Sequence, residues 1–470
     1  MGRLFGTDGI RGLANHFPMN AEIALKVGQA LGRVLHENPK LCAQGNYGVG
    51  LKSVNSREPL RRAKVVVGKD TRLANYMIEN AIVSGLCSMG VDVSVIGPLP
   101  TPGVAFVTRS MRADAGVMIS ASHNLYHDTG IKLFCADGHK LPSESEARIE
   151  QLVLEGGIET HLPTDDRIGK AKRIEDAIGR YIVFIKALFP KDLDLQGMKL
   201  VVDCAHGAAY RVAPLALEEL GAEVHTLGVN PNGLNINDSV GAMAPEAMAK
   251  QVVETGAHLG IALDGDGDRC ILADETGEIV DGDQIIGLCA LQMSREKRLA
   301  KNAVVTTPMS NIGLEVTLKE NGITMKRADV GDRYVVEMMK KEGLNLGGEQ
   351  SGHVIFLDQS TTGDGIVAAL KVLEVMQRTG LKLSELKKQI RLFPQCLENI
   401  RVKKKPPLEK LPSVQEQIQK IQKKLNAKGR VFVRYSGTEP LARVMVEGEN
   451  LDQVKTYTRS LATLIQKELG

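Results

Sequence analysis

An α/β fold class, with three similar mixed α/β/α-layer domains followed by a C-terminal α+β domain, is predicted by three observations. Short apolar runs alternate with stretches of helical period, the alternation recurs about three times, and the pattern changes after Arg391. Strands that alternate with helices imply largely parallel pairing, because a parallel pair needs a connection long enough to hold a helix.

In chain order, residues 64–68 read as a buried strand, 76–89 as a helix by their 3.6-residue apolar spacing, and 91–96 as the next strand. The unit repeats over 198–202, 210–220 and 222–227, then over 303–307, a helix near Leu314, and 323–327. A basic, Pro-bearing linker at 403–407 leads to a polar helix at 413–425, strands at 430–435 and 441–447, and a last helix from Leu451. Residues 37–62 carry Gly, Asn and Lys without period and predict a surface loop. A chain of 470 residues is too long for one core, and the expected domains are 1–160, 161–275, 276–385 and 386–470.

Bulk composition excludes several functions. A net charge of +3, from 59 basic and 56 acidic side chains, gives no reason to expect a nucleic-acid or membrane partner. Trp is absent and aromatics are 4%, so base-stacking platforms are not expected. The seven cysteines (42, 87, 135, 204, 270, 289, 396) form no C-x-x-C and read as buried thiols of a reducing, cytoplasmic environment. The N-terminus lacks a secretory leader pattern, Gly6 stands where a myristoylation signal needs Ser or Thr, and no apolar run reaches about 18 residues.

Four loops carry candidate chemistry. Ser122 lies in Ser120-Ala121-Ser122-His123-Asn124, between an apolar run and a strand-like segment, where a hydroxyl can carry a transferable group. Lys132, on the strand that follows, could polarise or deprotonate a hydroxyl if its pKa were depressed. The bland alternative is a polar turn whose Ser122 and His123 only satisfy backbone groups. Asp264-Gly265-Asp266-Gly267-Asp268-Arg269 offers three carboxylates suited to Mg²⁺ or Ca²⁺. An EF-hand reading also matches Asp264, Asp266, Asp268 and Glu275, but it fails because Arg269 stands where that loop needs Gly and the flanks look like strands.

The third loop, Gly347 to His353, supplies Glu349 and Ser351 for sugar hydroxyls or an amine, and His353 for phosphate or proton relay; a hairpin with a satisfied His is the alternative. The fourth, Arg434-Tyr435-Ser436-Gly437-Thr438-Glu439-Pro440 with Arg443, has the makings of a phosphate cradle, against a plain β-turn flanked by surface arginines. Arg11, in a Gly-rich N-terminal loop, could neutralise a phosphorylated Ser122, and Gly331-Asp332-Arg333 adds a basic loop beside the presumed sugar site.

Together these loops point to phosphoryl transfer on a sugar phosphate, and in this order they resemble the α-D-phosphohexomutase superfamily. The resemblance spans nearly the whole chain: FGTDGIRG (5–12), SASHN (120–124), DCAHGA (203–208), GLNIN (233–237), DGDGDR (264–269), VGDRYV (330–335), GGEQSGH (347–353), TTGDG (361–365) and RYSGTEP (434–440). It implies four domains around a central cleft, a phosphorylated Ser122, and one Mg²⁺ held by Asp264, Asp266, Asp268 and the phosphoserine. Lys132 and Arg269 then match proton-transfer and charge-stabilising residues, Glu349 and Ser351 the sugar-reading loop, and Arg434, Ser436, Gly437, Thr438 and Arg443 the distal phosphate site. DCAHGA, GLNIN and Gln350 are most similar to the bacterial branch that interconverts glucosamine 6-phosphate and glucosamine 1-phosphate through a glucosamine 1,6-bisphosphate, feeding cell-wall precursors.

This reading takes a small-molecule sugar phosphate as substrate and leaves a homodimer open. Alternatives are action on glucose or mannose phosphates, an inactive sugar-phosphate-binding regulator, and a Ser/metal phosphatase. Departures from the family pattern are Leu125 in place of the usual Pro, Leu73-Ala74-Asn75, and the long 37–62 segment.

Overall fold

The valines of 64–69 and the apolar run 115–119 are fully buried strands, and their helical neighbours cover them, as alternating α/β patterning requires. The computed structural model describes residues 4–6, 8–37, 62–158, 162–436 and 440–470; the loop expected over 37–62 lies, apart from its ends, outside them. The chain divides into two units, Met1–Pro308 with Lys326–Lys387, and Met309–Met325 with Lys388–Gly470.

In the first unit, the strands β1 (Phe5–Gly6), β2 (Gly9–Leu13), β3 (Lys64–Lys69), β4 (Asp92–Pro98), β5 (Ala115–Ile119), β6 (Asp128–Cys135) and β7 (Ala171–Arg173) form one sheet. Their order is β1-β2-β6-β5-β3-β4-β7. The pairs from β5 through β3 and β4 to β7 are parallel, while β5–β6, β6–β2 and β2–β1 are antiparallel. A second sheet contains β8 (Lys199–Asp203), β9 (Glu223–Leu227), β10 (Leu259–Leu263), β11 (Cys270–Asp274) and β12 (Ile279–Val280), in the order β12-β11-β10-β8-β9. In a third, Ala303–Thr306 runs parallel to Leu346–Gly348, which pairs antiparallel with Val354–Phe356. The expected parallel cores are thus present, but both acidic and serine loops are hairpin connections, β10–β11 and β5–β6, at the carboxyl ends of β10 and β5.

Val65 and Val67 pack with Ile78, Ile82 and Leu86 in one core. Each such side chain contributes roughly 1.5–3 kcal/mol on burial. Helices Ala21–Glu37 and Ala74–Ser88 meet backbone to backbone: a Cβ on Gly85 would stand 2.2 Å from the Leu25 carbonyl oxygen. Smaller cores form around Val201, Met248 and Val252, and around Val305, Val335 and Ile355.

Helix Gly365–Thr379 is capped by Asp364, whose Oδ1 accepts the Ile366 and Val367 N–H groups at 3.1 Å, while Tyr181 donates to its Oδ2 at 2.6 Å. Burial pushes this carboxyl up to about 6, only partly offset by those donors. A folded pKa above the unfolded one means that its contribution is fully present below about pH 4 and is lost as pH rises through about 6. The wild type is therefore expected to lose about 3 kcal/mol relative to Asp364→Asn between pH 4 and 8. Thermal melts of the two proteins across that range check this; a pH-independent difference would refute it.

In the second unit, strands Gln395–Arg401, Gly429–Tyr435 and Leu441–Gly448 form an antiparallel sheet with the last in the centre, covered by helices Pro412–Leu425 and Leu451–Leu469. Val444, Val446, Leu461 and Ile465 build its core. Strand Gln395–Arg401 was not expected from the sequence, because its Gln, Glu, Asn and Arg hide the period of an edge strand. Helix Ile312–Glu320 groups with this unit: Asn311 caps it and donates to the Phe393 carbonyl at 2.9 Å. Among the described residues, no helix is long and apolar enough to cross a membrane, and cysteines 87, 135, 204, 270, 289 and 396 are free thiols.

Candidate functional site

The chain leaves β5 through a loop held almost wholly by side chains. Ser120 Oγ donates to Asp70 Oδ2 at 2.7 Å and accepts the Ser122 N–H at 2.8 Å. Ser122 is buried at φ +51°, a left-handed conformation that costs a non-glycine residue roughly 1–2 kcal/mol. Its carbonyl accepts from Arg72 and Asn237, each at 2.8 Å. With the backbone so fixed, Ser122 Oγ donates to Asp264 Oδ2 at 2.7 Å. Two loops 142 residues apart in sequence thus share one buried site.

Asp264, Asp266 and Asp268 are all buried, with ligand oxygens within 4.8 Å of one another. Gly265 lets the loop pass close to its neighbours: a Cβ there would stand 2.6 Å from the Ser122 carbonyl oxygen. Asp264 Oδ1 accepts the Arg269 N–H at 3.1 Å, and Asp266 Oδ2 accepts from Thr101 at 2.6 Å and Lys132 at 2.8 Å. Asp266 Oδ1 is buried without a hydrogen-bond donor, and Asp268 Oδ1 has only His353 Nδ1, at 3.6 Å. Burial, then Asp268 and Asp266, push the Asp264 carboxyl well above the ordinary range. Poorly satisfied hard oxygens on repelling carboxylates fit a divalent cation such as Mg²⁺. The EF-hand reading is excluded by position as well as sequence, since Glu275 accepts from Ser384 Oγ and N instead of joining the cluster.

Lys132 and Arg11 reach the site from one face of the first sheet. Ile10 pairs with Ile131 on the core side, so Arg11, Gly130 and Lys132 take the other side by strand alternation. Lys132 Nζ lies 2.8 Å from Asp266, 3.3 Å from Asp268 and 3.2 Å from Asp8. The condition set for Lys132 to deprotonate a hydroxyl, a depressed pKa, is not met by its surroundings. Burial alone would lower it, but Asp266, Asp8 and Asp268 outweigh burial and hold Lys132 well above its usual value. Those three carboxylates favour its charged form.

Arg11 pairs with Asp8. His123 Nδ1 lies 3.4 Å from Ser122 Oγ; burial, then Arg269 and Arg11, push that imidazole down to about 4, so it is neutral. Arg269 is held charged beside the aspartates, with its Nε buried and unpartnered.

The segment Gly347 to His353 is a hairpin turn, as its bland reading had it, yet it meets the same site. Gly331 N–H donates to Glu349 Oε1 at 3.2 Å, and Ser351 is exposed. Gln350 ties to the helix cap Asp281 at 3.2 Å, a structural bond. His353 Nδ1 stands 3.6 Å from Asp268, and its Nε2 is 3.8 Å from Asp332 and 3.2 Å from the Gly363 nitrogen. Burial lowers its pKa, but Asp268, Asp332 and Glu349 outweigh that and raise it to about 9. A charged ring can no longer accept the Gly363 N–H at Nε2, and keeps both carboxylates.

The loop 331–333 is less basic than expected. Asp332 holds Lys140 at 2.5 Å, and Arg333 is turned to Glu146 at 2.6 Å and Ser143 at 2.8 Å.

In the second unit, Arg434 and Arg443 are cross-strand partners, and burial together with Arg443 lowers the Arg434 pKa. Ser436 follows at the strand end, its carbonyl accepting from Lys405 at 2.6 Å. Gly437 and Thr438 lie outside the described residues.

Asp8, Thr101, Lys140, Arg72 and Asn237 were not found from the sequence. Asp8 sits in the FGTDGIRG motif and Asn237 in GLNIN, and Arg72 lies just past a parallel strand's carboxyl end, where such sheets place their sites. The partners of Asn237, Thr101 and Lys140, and all those of Arg72 except Asp70, are 50 or more residues away, and no local pattern shows that.

Family models for phosphoglucomutase/phosphomannomutase match in order: alpha/beta/alpha domain I at residues 2–46 and 44–157, domain II at 180–277, domain III at 281–393, and the C-terminal domain at 397–464. The phosphoglucosamine mutase of Anaeromyxobacter sp. is 56% identical over 472 residues, covering 100% of this chain and 96% of its own. That of Syntrophotalea carbinolica is 53% identical over 468 residues, covering 100% and 98%. Among solved structures, a phosphoglucomutase/phosphomannomutase family protein from Burkholderia thailandensis superposes with TM-score 0.77 at 21% identity, covering 100% and 98% of the two chains. The Aspergillus fumigatus N-acetylphosphoglucosamine mutase, in complex with GlcNAc-6P and magnesium, gives 0.64 at 17%, covering 99% and 95%. At those identities the structures speak for the fold. With four domain models in sequence and relatives more than half identical along its length, the chain belongs to the α-D-phosphohexomutase superfamily and, within it, to the phosphoglucosamine mutase family.

Proposed function

We propose that this protein interconverts glucosamine 6-phosphate and glucosamine 1-phosphate through a phosphorylated Ser122. The observation that carries the reading is the 2.7 Å contact of Ser122 Oγ with Asp264 inside a buried aspartate cluster. A nucleophile has no use in a pure binder, and a turn residue has no reason to be buried at φ +51° beside three carboxylates.

In the forward direction the phosphoserine gives its phosphoryl group to the C1 hydroxyl of glucosamine 6-phosphate. The Ser122 O–P bond breaks, a sugar O–P bond forms, and the hydroxyl proton ends on the departing serine oxygen, with His123, 3.4 Å from Oγ, placed to relay it. The resulting 1,6-bisphosphate turns over and returns its 6-phosphate to Ser122, leaving glucosamine 1-phosphate. Asp264, Asp266 and Asp268 would hold Mg²⁺, which when bound offsets charge on the transferring group and orients it. Lys132, Arg11 and Arg269 bring positive charge to the same place. Glu349 and Ser351 are suited to the sugar hydroxyls and amine, with Gly331, Asp332 and His353 around them, while Arg434, Ser436, Gly437, Thr438 and Arg443 are suited to the distal phosphate.

The test is an assay of purified protein on glucosamine, glucose and mannose 6-phosphates with Mg²⁺, following both the 1-phosphates and free phosphate. Preferential isomerisation of the glucosamine ester is expected. Preference for glucose or mannose esters would move the chain to the phosphoglucomutase or phosphomannomutase activity, and net phosphate release would make it a phosphatase.

A further inference from the structure

We propose that Arg72 and Asn237 are positioning residues for phosphoryl transfer at Ser122, gripping the same two carbonyls from different segments of the chain. The inference rests on the reading of Ser122 as phosphoryl carrier. The Ser122 carbonyl accepts from Arg72 Nη2 and Asn237 Nδ2, each at 2.8 Å, and the Asn124 carbonyl accepts from the same two nitrogens, again at 2.8 Å. Arg72 Nη1 also donates to the carbonyls of Leu125 and, at 3.0 Å, Asp128, and its Nε to Asp70 Oδ2 at 2.8 Å.

A guanidinium has five N–H donors and a carboxamide two, and all seven are engaged here. Both side chains are buried, Arg72 completely, so neither bond set is traded with water.

The consequence is directional. Ser122 keeps its left-handed backbone because its N–H is taken by Ser120 Oγ and its carbonyl by this pair. That backbone aims Oγ at Asp264. Asn237 also packs against the acidic loop, since a Cβ on Gly265 would meet its Nδ2 at 2.6 Å. One carboxamide therefore fixes the hydroxyl loop relative to the aspartates. The departure at Leu125 is compatible with a rigid loop, since its carbonyl is held by Arg72.

The test uses Asn237→Ala and Arg72→Lys in the full chain. Lysine keeps the charge beside Asp70 but, with three hydrogens on one nitrogen, cannot serve four carbonyls. Purified, dephosphorylated proteins are treated with glucose 1,6-bisphosphate, and Ser122 phosphorylation is followed by intact mass. Both variants are expected to phosphorylate about tenfold slower or worse, with kcat falling in step and KM for the sugar phosphate within about twofold. An unchanged phosphorylation rate in Asn237→Ala, or a loss that only follows the folded fraction in circular dichroism, overturns the proposal. Hydrogen exchange at residues 122–124 separates this from the underlying reading. If wild-type Ser122 accepts no phosphoryl group, that reading fails by itself, and the grip is then judged on whether Asn237→Ala speeds amide exchange there; unchanged exchange overturns it.

Discussion

Ser122→Ala is expected to lose isomerase activity by about ten-thousandfold or more, because a covalent carrier has no substitute once its oxygen is gone. In barrier terms that is about 5 kcal/mol. The variant should fold. It removes a hydroxyl whose bond to Asp264 is one of several anchors, while the Ser120, Arg72 and Asn237 bonds use the Ser122 backbone and remain. Intact mass should show no phosphate on the variant after treatment with a sugar bisphosphate, against one on the wild type. Full turnover by Ser122→Ala would remove the covalent mechanism altogether.

Asp264→Asn is expected to cut kcat by about a thousandfold, with Mg²⁺ affinity by calorimetry falling at least about tenfold, since one of three anionic oxygen donors becomes neutral. Stability should move the other way. Three buried carboxylates lie within 4.8 Å, and the Asp264 carboxyl is pushed up by burial and by its two neighbours. Removing that charge relieves the repulsion, so the melting temperature in chelator should rise by a few degrees, the usual trade between a strained site and a stable fold. The asparagine oxygen can still accept the Arg269 N–H that Asp264 Oδ1 now receives. A variant with wild-type Mg²⁺ affinity would show that the cluster is not the cation site.

Much of the molecule was readable without coordinates, for identifiable reasons. Strands such as Lys64–Lys69 and Leu259–Leu263 are buried on both faces, so their apolar runs are unbroken, and the helices between them carry a plain 3.6 period. The edge strand Gln395–Arg401 was missed because only one of its seven residues is fully buried and its alternation is blurred. Asp264-Gly265-Asp266-Gly267-Asp268 was conspicuous because its chemistry is local, three ligands in five residues. Lys132 was found as a residue, but its charge state was not legible: its partners Asp8, Asp266 and Asp268 come from two other segments.

The order of side chains along the chain settled which groups can react: a hydroxyl, three carboxylates, and the cations and amides that serve them. Covalent identity and short-range periodicity are written into the sequence itself. Folding alone decided that Asp70, Arg72 and Asn237 close around the Ser122 loop, that the His123 pKa is pushed down and that of Lys132 up, and that Arg333 turns to Glu146. Hydrogen-bond geometry and proton affinity depend on which distant atoms come within about 3 Å and how much water they displace, and sequence spacing carries neither quantity.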